Sequence, residues 1–206
     1  MRVPLLFLTL TTVLFLWGCD DSNDPTQVDK ACNKSESEVT LPAGAGGGIV
    51  IQAKRNSQCS VNISGLPNFE GPLKPGDSVV RTGSEAKVKM DCGSDAEKKC
   101  RYSYNTFGPK DKLTLAEDNV DTKCKDADTV LHLTGGNYSL SVEVDEKSQC
   151  SVTVSGAPSG DFSVESGKNK EVPVVLNAGQ TAEIKLSCGS DDKNCRYHYK
   201  LKKNSR

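Results

Sequence analysis

The residues of this chain best suited to chemistry are its nine cysteines, which could bind a metal, act as nucleophiles or form disulfides. Eight of them form two sets of four with nearly the same order and spacing. The first set is Cys32, Cys59, Cys92 and Cys100, and the second is Cys124, Cys150, Cys188 and Cys195. The surrounding residues repeat as well, since SQCSVNISG at 57–65 is matched by SQCSVTVSG at 148–156. The chain therefore contains a duplicated unit with four cysteines in each copy.

Each set ends in a close pair, spaced C-x7-C in the first copy and C-x6-C in the second. Structural zinc sites usually combine C-x2-C pairs with histidines or further cysteine pairs. The only histidines here are His132 and His198. An even number of cysteines in an exported chain instead predicts disulfides. We therefore expect four disulfides, and neither a metal site nor a cofactor.

Strand parity at the end of each copy suggests how the cysteines pair. Cys92 and Cys100 flank a short loop and share a face with apolar neighbours, and the second copy repeats this pattern. Four cysteines allow three pairings, and a Cys59–Cys92 bond between two sheets is the main alternative. A disulfide that closes a loop of about 27 residues contributes about 3–4 kcal/mol in the chain-entropy model. The predicted pairs are Cys32–Cys59, Cys92–Cys100, Cys124–Cys150 and Cys188–Cys195.

Catalytic chemistry finds little support in the sequence. A cysteine nucleophile needs a free thiolate near a histidine, and paired cysteines leave none in the repeats. His132 and His198 alternate with apolar or aromatic residues on predicted strands, so both are expected on a solvent face. An acidic pair such as Glu143 with Asp145 serves glycosidase chemistry only at a defined separation, which the sequence does not indicate. We predict that the protein is not an enzyme, and a hydrolase is the less favoured hypothesis.

Two Gly-Ser-Asp turns, 93–95 and 189–191, offer oxygen ligands of the kind that calcium prefers. They lack the several spaced acids of a calcium-binding loop, and the same residues are typical of tight turns. Turns without metal are therefore the favoured interpretation. The glycine-rich run 44–48 has neither the lysine nor the following helix of a phosphate-binding loop.

The ninth cysteine, Cys19, follows an apolar run that begins after Arg2 and ends at Trp17. This run is shorter than the ~20 residues of a membrane-spanning helix and suits the apolar part of a signal peptide. The segment 16–19, LWGC, resembles the lipobox of bacterial lipoproteins. The resemblance implies that residues 1–18 are a cleaved signal peptide and that Cys19 carries lipid at the mature N-terminus. An ordinary secretory signal is the alternative.

The resemblance to lipoproteins also implies a location. Acyl chains such as palmitate anchor the protein in a membrane, with about 0.8 kcal/mol for each buried methylene. By resemblance to enterobacterial sorting, Asp20 directly after Cys19 favours the inner membrane, with the protein facing the periplasm. The periplasm is oxidising, as the predicted disulfides require. The polar residues 19–30 are expected to be a flexible tether.

Short stretches of alternating apolar and polar residues dominate the mature chain. Residues 49–53 alternate in the first copy and 140–144 in the second, and turns rich in Gly, Ser and Asp separate such stretches. This period predicts an all-β protein. With about six or seven strands per copy, we expect two tandem immunoglobulin-like β-sandwich domains, each with two disulfides. Their predicted bounds are 31–105 and 122–206.

The segment between the copies, 106–121, is mostly polar but contains Leu113 and Leu115. We expect a partly ordered linker, and a strand lent to either domain is the alternative. The copies differ most between their second and third cysteines, at 66–82 and 157–178. If the two domains have different roles, we expect the difference there.

Composition restricts the partners. The formal net charge is −1 with acids and bases interspersed, so no nucleic-acid surface is expected. Few aromatic side chains are available to stack on carbohydrate, which favours protein recognition through loops or an exposed strand edge. The favoured hypothesis is a lipid-anchored, non-catalytic cell-envelope protein that binds a protein partner, with no particular oligomeric state predicted. The second hypothesis is an inhibitor or immunity lipoprotein that blocks a toxin or lysozyme-like enzyme.

Overall fold

The computed structural model describes residues 24–41, 47–83, 85–111 and 113–204. Cys19, the predicted signal peptide and the start of the predicted tether lie outside the described residues. The described part of the chain consists of fourteen β-strands and two short 3₁₀ turns, which confirms the predicted all-β class. None of its helices is long and apolar enough to cross a membrane.

Repeat 1 contains eight strands in two antiparallel sheets. The front sheet is ordered β1-β8-β3-β6 and the back sheet β2-β7-β4-β5. Alternating apolar side chains of the two sheets meet in one core, where Ile51 of the front sheet and Val88 of the back sheet are fully buried. The strands are β1 Thr26–Ala31, β2 Ser37–Leu41, β3 Gly48–Ala53, β4 Val61–Leu66, β5 Phe69–Leu73, β6 Ser78–Thr82, β7 Ala86–Asp91 and β8 Lys99–Phe107.

Repeat 2 contains six strands, two of which are long enough to run through both of its sheets. Its front sheet is ordered β9, β14, the second half of β10 and the first half of β13, and its back sheet contains the other halves with β11 and β12. The register of β10 and β13 shifts between Thr134 and Gly136, where the pair passes from one sheet to the other. The strands are β9 Thr114–Lys123, β10 Thr129–Val144, β11 Val152–Ser155, β12 Phe162–Val164, β13 Asn169–Ser187 and β14 Asn194–Lys203.

The strand order differs from the expected immunoglobulin-like order. When the halves of β10 and β13 are counted separately, each repeat has eight strands in sheets ordered 1-8-3-6 and 2-7-4-5. This is the order of a jelly roll, whereas immunoglobulin sheets are ordered ABED and CFG. The strand count from sequence is too low because the sixth strand lies in the divergent segments 66–82 and 157–178. In the second of these, charged residues and Pro173 obscure the period of two.

Two segments predicted to be a linker and a tether contribute strands. Half of the predicted linker 106–121 belongs to β9, which pairs with β14, so the alternative of a strand lent to a domain describes it better, and the predicted tether 19–30 overlaps β1, which pairs with β8. Val28 and Val120 occupy equivalent positions and are both buried. These polar sequences form strands because each one pairs with backbone groups of the front sheet that would otherwise lie at an edge.

The disulfides occupy equivalent places in the two repeats. Two of them close loops of 27 and 26 residues and tie the 3₁₀ turn after the first strand to the turn before the fourth. The other two connect the seventh and eighth strands, which belong to different sheets, so they join the back sheet to the front sheet. The pairs are those that the spacing predicts: Cys32–Cys59, Cys92–Cys100, Cys124–Cys150 and Cys188–Cys195.

The two repeats share one continuous sheet of ten strands. β6, the edge of the front sheet of repeat 1, pairs in parallel with the first half of β10, with Leu131 opposite Ser78. β3 is buried on both faces: Ile51 lies in the core of repeat 1, whereas Val50 packs with Val80 into the core of repeat 2. The repeats therefore form one body at a junction that contains β3, β6, β9 and β10.

Candidate functional site

Of the four residues that the sequence offered for catalysis, the structure brings three together and places His132 elsewhere. His198 lies opposite Glu143 on the front sheet of repeat 2, beside a shallow groove of about 400 Å³ that Asp145 also lines. Asp145 accepts the Lys147 N–H at 2.7 Å, so its carboxylate closes its own turn. His132 lies elsewhere, at the junction between the repeats. Within the described ranges, no group of three or more His, Cys, Asp or Glu side chains could hold a metal ion.

The Gly-Ser-Asp turns use their carboxylates locally. Asp95 accepts the N–H groups of Glu97 and Lys98 at 2.9 and 3.2 Å. These hydrogen bonds, led by the one from Glu97, hold the pKa of Asp95 below its ordinary value. In the second turn Asp191 pairs with Lys193 at 3.6 Å. Both carboxylates are engaged in shaping their turns.

Arg55 is the side chain that joins the repeats most extensively, which makes the junction the candidate functional site. It lies in the turn after β3, and its guanidinium reaches repeat 2. Nε donates to Asp118 at 3.3 Å, and Nη1 donates to the carbonyls of Asp126 and Asp128 at 3.3 Å each. Nη2 donates to the Thr129 hydroxyl. A planar guanidinium with four such contacts fixes the orientation of one repeat on the other.

The contacts of Arg55 continue into a buried network of repeat 2. Thr129 Oγ1 lies 3.0 Å from Tyr197 Oη, and Tyr197 donates to the Ala127 carbonyl at 2.7 Å. Burial raises the pKa of Tyr197 to about 12, so the phenol stays neutral and remains a donor. Tyr102 makes the equivalent two contacts in repeat 1. The tyrosine network thus belongs to the fold, and the arginine extends it across the junction.

Gln52 also crosses the junction. Its Nε2 donates to the Glu117 carbonyl at 2.8 Å and to Tyr199 Oη at 3.3 Å. Gln52 lies on the outer face of β3, beside Val50, and is buried. Its contacts satisfy a carbonyl of β9 that repeat 1 covers, and an unsatisfied buried carbonyl would be costly.

Asp77 caps the strand pairing between the repeats. Its Oδ1 accepts the Val130 N–H at 2.8 Å, directly before the residues where β6 pairs with β10. Asp77 is only 7 % exposed. Desolvation raises the pKa of its carboxyl to about 6, although the hydrogen bond from Val130 and the charges of Lys74 and Arg55 act to lower it. The junction therefore contains an acid that titrates close to neutral pH.

His132 lines a groove of about 320 Å³ beside the junction, together with Phe69 and Glu183. Its ring packs against Phe69 with centroids 4.8 Å apart, and Nδ1 lies 3.6 Å from a Glu183 oxygen. Burial lowers the pKa of His132, although Glu183 acts in the opposite direction. The expected solvent position of His132 is therefore wrong in part, because pairing of the repeats places Phe69 over it.

Sequence reasoning missed Arg55, Gln52 and Asp77. None of them belongs to a motif, and each looks like an ordinary charged or polar surface residue. A comparison of the two copies would have found two of them. Arg55 corresponds to Glu146 and Asp77 to Lys168, so the charge is reversed at two aligned turn positions.

No protein-family model and no curated protein matches the chain. Among solved structures, it is similar to the conserved protein of unknown function PA5104 from Pseudomonas aeruginosa PAO1. That match has a TM-score of 0.35 and 10% identity, and it covers 87% of this chain and 81% of the other. HutD from Pseudomonas fluorescens SBW25 matches with a TM-score of 0.30 and 15% identity over 86% and 77% of the two chains. A likeness at such scores gives no basis for a family or a function.

Proposed function

We propose that this chain is a lipid-anchored, non-catalytic protein of the bacterial cell envelope that binds a protein partner through its two disulfide-bonded β domains. The observation that carries the proposal is the junction at Arg55, which joins the two domains into one body. A rigid body holds the loops and sheet edges of both repeats at fixed positions. Binding then incurs little of the entropy cost of ordering two independent domains.

Two features support the envelope location. The four disulfides are stable in an oxidising compartment, and the lipobox-like segment before Cys19 would supply an anchor there. Because β1 begins at Thr26, a lipid on Cys19 would hold the folded body within about 25 Å of the membrane. We therefore expect the partner to be a membrane protein or a protein that approaches the membrane surface.

Cross-linking in intact cells, followed by detergent extraction, tests this proposal. Wild-type protein should incorporate labelled palmitate and capture one specific envelope protein, whereas Cys19→Ser should lose the label. Arg55→Ala should reduce the capture at least tenfold because it removes the contacts that fix the orientation of one repeat on the other. Arg101→Ala is the matched control, since Arg101 is partly buried and pairs with Asp29 at 3.0 Å inside repeat 1.

Two results would contradict the proposal: turnover of a substrate by the mature protein in a hydrolase panel, or equal capture by wild type and Arg55→Ala. The identity of the captured protein shows whether this chain binds a resident envelope protein or inhibits an incoming one. A captured toxin or lysozyme-like enzyme that loses activity in the complex would make this chain an inhibitor or immunity lipoprotein.

A further inference from the structure

One side of repeat 2 is covered by repeat 1. This side lies between β9 and the first half of β10, which are the edge strands of its two sheets. β6 pairs along β10, Asp77 accepts the Val130 N–H, and the Thr82 N–H donates to Thr134 Oγ1 at 3.2 Å. Leu131 is fully buried there. Repeat 2 thus shows what this side of the fold binds when it is occupied: a parallel strand.

Repeat 1 has the same side, and no described strand pairs along it. β2 corresponds to the first half of β10, because each pairs with the seventh strand of its repeat in the same register. Among the described residues, β2 has no strand partner on its other edge. Val39 and Tyr104 are partly exposed, whereas their counterparts Leu131 and Tyr199 are fully buried under repeat 1. We call β2 with Val39 and Tyr104 the open edge.

The open edge carries none of the usual protection against pairing. Proteins block free edges with prolines, bulges or lysines that point along the edge. β2 contains no proline, and its register with β7 is regular from Ser37 to Leu41. Its one charged residue, Glu38, points towards β7, where it pairs with Lys87 at 2.8 Å. The backbone of β2 is therefore accessible to an added strand.

A second copy of this chain does not supply that strand, because the counterpart of β6 in repeat 2 is unsuited to pairing. Glu171 stands in place of Val80, which packs into the core of repeat 2. Pro173 stands in place of Thr82 and lacks the N–H that Thr82 gives to Thr134. The edge of β13 thus resembles a protected edge.

The charged contacts exclude head-to-tail stacking as well. Arg55 donates to two backbone carbonyls of repeat 2, but its counterpart Glu146 has only acceptor oxygens when ionised. Asp77 accepts a backbone N–H, but its counterpart Lys168 is a donor. A second copy would place acceptors against acceptors and a donor against a donor. These contacts therefore disfavour head-to-tail pairing between copies and favour a strand from a different protein.

We propose that the open edge of repeat 1 binds an extended segment of the partner protein as a strand parallel to β2. The segment has small or apolar side chains at alternate positions, as Ser78 and Val80 are on β6. An acceptor on it meets the Glu38 N–H, as Asp77 meets Val130. This inference rests on the proposed function, because it assumes a protein partner, and it names the site and the form in which that partner binds.

The direct test uses the chain's own strand as the probe. A synthetic peptide with the sequence of residues 76–83, GDSVVRTG, is titrated into the ¹⁵N-labelled mature chain carrying Cys19→Ser. We expect saturable amide shifts confined to β2 and its neighbours, together with slower hydrogen exchange of the outward N–H groups of β2. The counterpart peptide 167–174, GKNKEVPV, is the matched control and should cause no shifts.

A proline variant locates the effect on the edge. Thr40 corresponds to His132, two residues after Val130, so its N–H points outwards and not towards β7. Thr40→Pro should weaken peptide binding at least tenfold and leave the spectrum of the rest of the protein unchanged. Absence of shifts at millimolar peptide, or shifts at the β6–β10 junction instead of β2, would overturn the proposal. Self-association that Thr40→Pro abolishes would assign the edge to a second copy and also overturn it.

Cross-linking in cells separates this proposal from the proposed function. If wild type and Thr40→Pro capture the same envelope protein equally, the protein-binding function stands and the open edge is the wrong site. If the peptide binds at β2 but no envelope protein is captured, the edge is competent for strand binding and the proposed function is wrong.

Discussion

Repeat 1 and repeat 2 have the same strand order and the same two disulfides, but they differ in how they use the outer face of the front sheet. In repeat 1, Val50 and Val80 on this face are buried against repeat 2. In repeat 2 the equivalent residues are Ser141 and Glu171, which are partly or fully exposed. A duplicated fold has thus become an ordered pair, because only one copy has an apolar outer face.

The comparison also shows how a two-repeat array can be ended. Repeat proteins need terminal units with polar outer faces, since an unmodified unit would continue to stack. Repeat 2 serves as such a terminal unit through Glu171 and Pro173. Repeat 1 has no equivalent protection on β2, so the two ends of the pair are chemically different. That difference is the reason to expect a partner at one end only.

The largest effect is expected when repeat 1 receives the residue that repeat 2 has at the equivalent position. Val80→Glu would bury a carboxylate in the core of repeat 2, at a cost of about 3–5 kcal/mol. We expect the single transition of the wild type in scanning calorimetry to split into two. The reverse change, Glu171→Val, lies on an exposed face and should alter the free energy of unfolding by less than about 0.5 kcal/mol. A single unshifted transition for Val80→Glu would contradict the junction.

The next largest effect is expected when the disulfide that closes the long loop is removed from either repeat, in two separate variants. Cys124→Ala with Cys150→Ala should cost about 3 kcal/mol, and Cys32→Ala with Cys59→Ala should cost about the same, because the loops have 26 and 27 residues. Urea unfolding followed by circular dichroism measures both. Since the cores share the junction, both variants should lower the stability of the whole body. Loss of structure in only one repeat would show that the repeats fold independently.

Arg55→Ala should cost about 2 kcal/mol in urea unfolding, because it removes four hydrogen bonds from a charged, partly buried guanidinium. Glu146→Ala, the equivalent change in repeat 2, should cost less than about 0.5 kcal/mol because Glu146 is exposed. The difference between these two free energies measures how much the junction gains from an arginine at this turn position. Equal effects would mean that the contacts of Arg55 contribute little to stability.

The smallest expected effect concerns pH. The pKa of Asp77 is about 6 in the folded protein against an ordinary value of 3.8, so the folded state binds the proton more tightly. The free energy of unfolding should therefore rise by about 1 kcal/mol from this group as the pH falls from 7 to 5. Asp77→Asn should remove that rise, while Lys168→Gln in repeat 2 should leave it. The measurement is urea unfolding at a series of pH values.

The titration of His132 changes the free energy of unfolding in the opposite direction. Its contribution therefore has to be separated from that of Asp77. The pKa of His132 is lowered in the folded protein, so its contribution to stability is present above its ordinary value of 6.5 and is lost as the pH falls through the folded pKa. The pH series is therefore run in a His132→Gln background as well. If Asp77→Asn does not change how the free energy of unfolding varies with pH in that background, the carboxyl at the junction does not titrate as described.

Local sequence patterns predicted which side chains of a strand face the core of their own repeat, because this depends only on neighbouring residues of the chain. The alternation at 49–53 and 140–144 placed Ile51 and Val142 in the cores, where both are fully buried. The pattern could not show that Val50 is buried too, since burial of the outer face depends on repeat 2. For the same reason residues 106–121 are predicted to be a linker, although part of them belongs to β9: this strand exists because β14 offers an unpaired edge.

The candidate site escaped sequence analysis for a related reason. Arg55 lies in a turn and is charged, which is typical of a solvated residue. Its function arises from contacts with carbonyls more than 70 residues away in the chain, at Asp126 and Asp128. No local period or spacing encodes such a contact. The charge reversal relative to Glu146 was the one available signal.

The most direct test of this account is whether the two repeats tumble as one body in solution. Residual dipolar couplings of the backbone amides in the mature chain, measured in a weakly aligning medium, report the orientation of each repeat. We predict that a single alignment tensor fits the couplings of β1–β8 and β9–β14 together, and that Val80→Glu, which places a carboxylate in the shared core, requires two. Two distinct tensors for the wild-type chain would contradict the rigid junction.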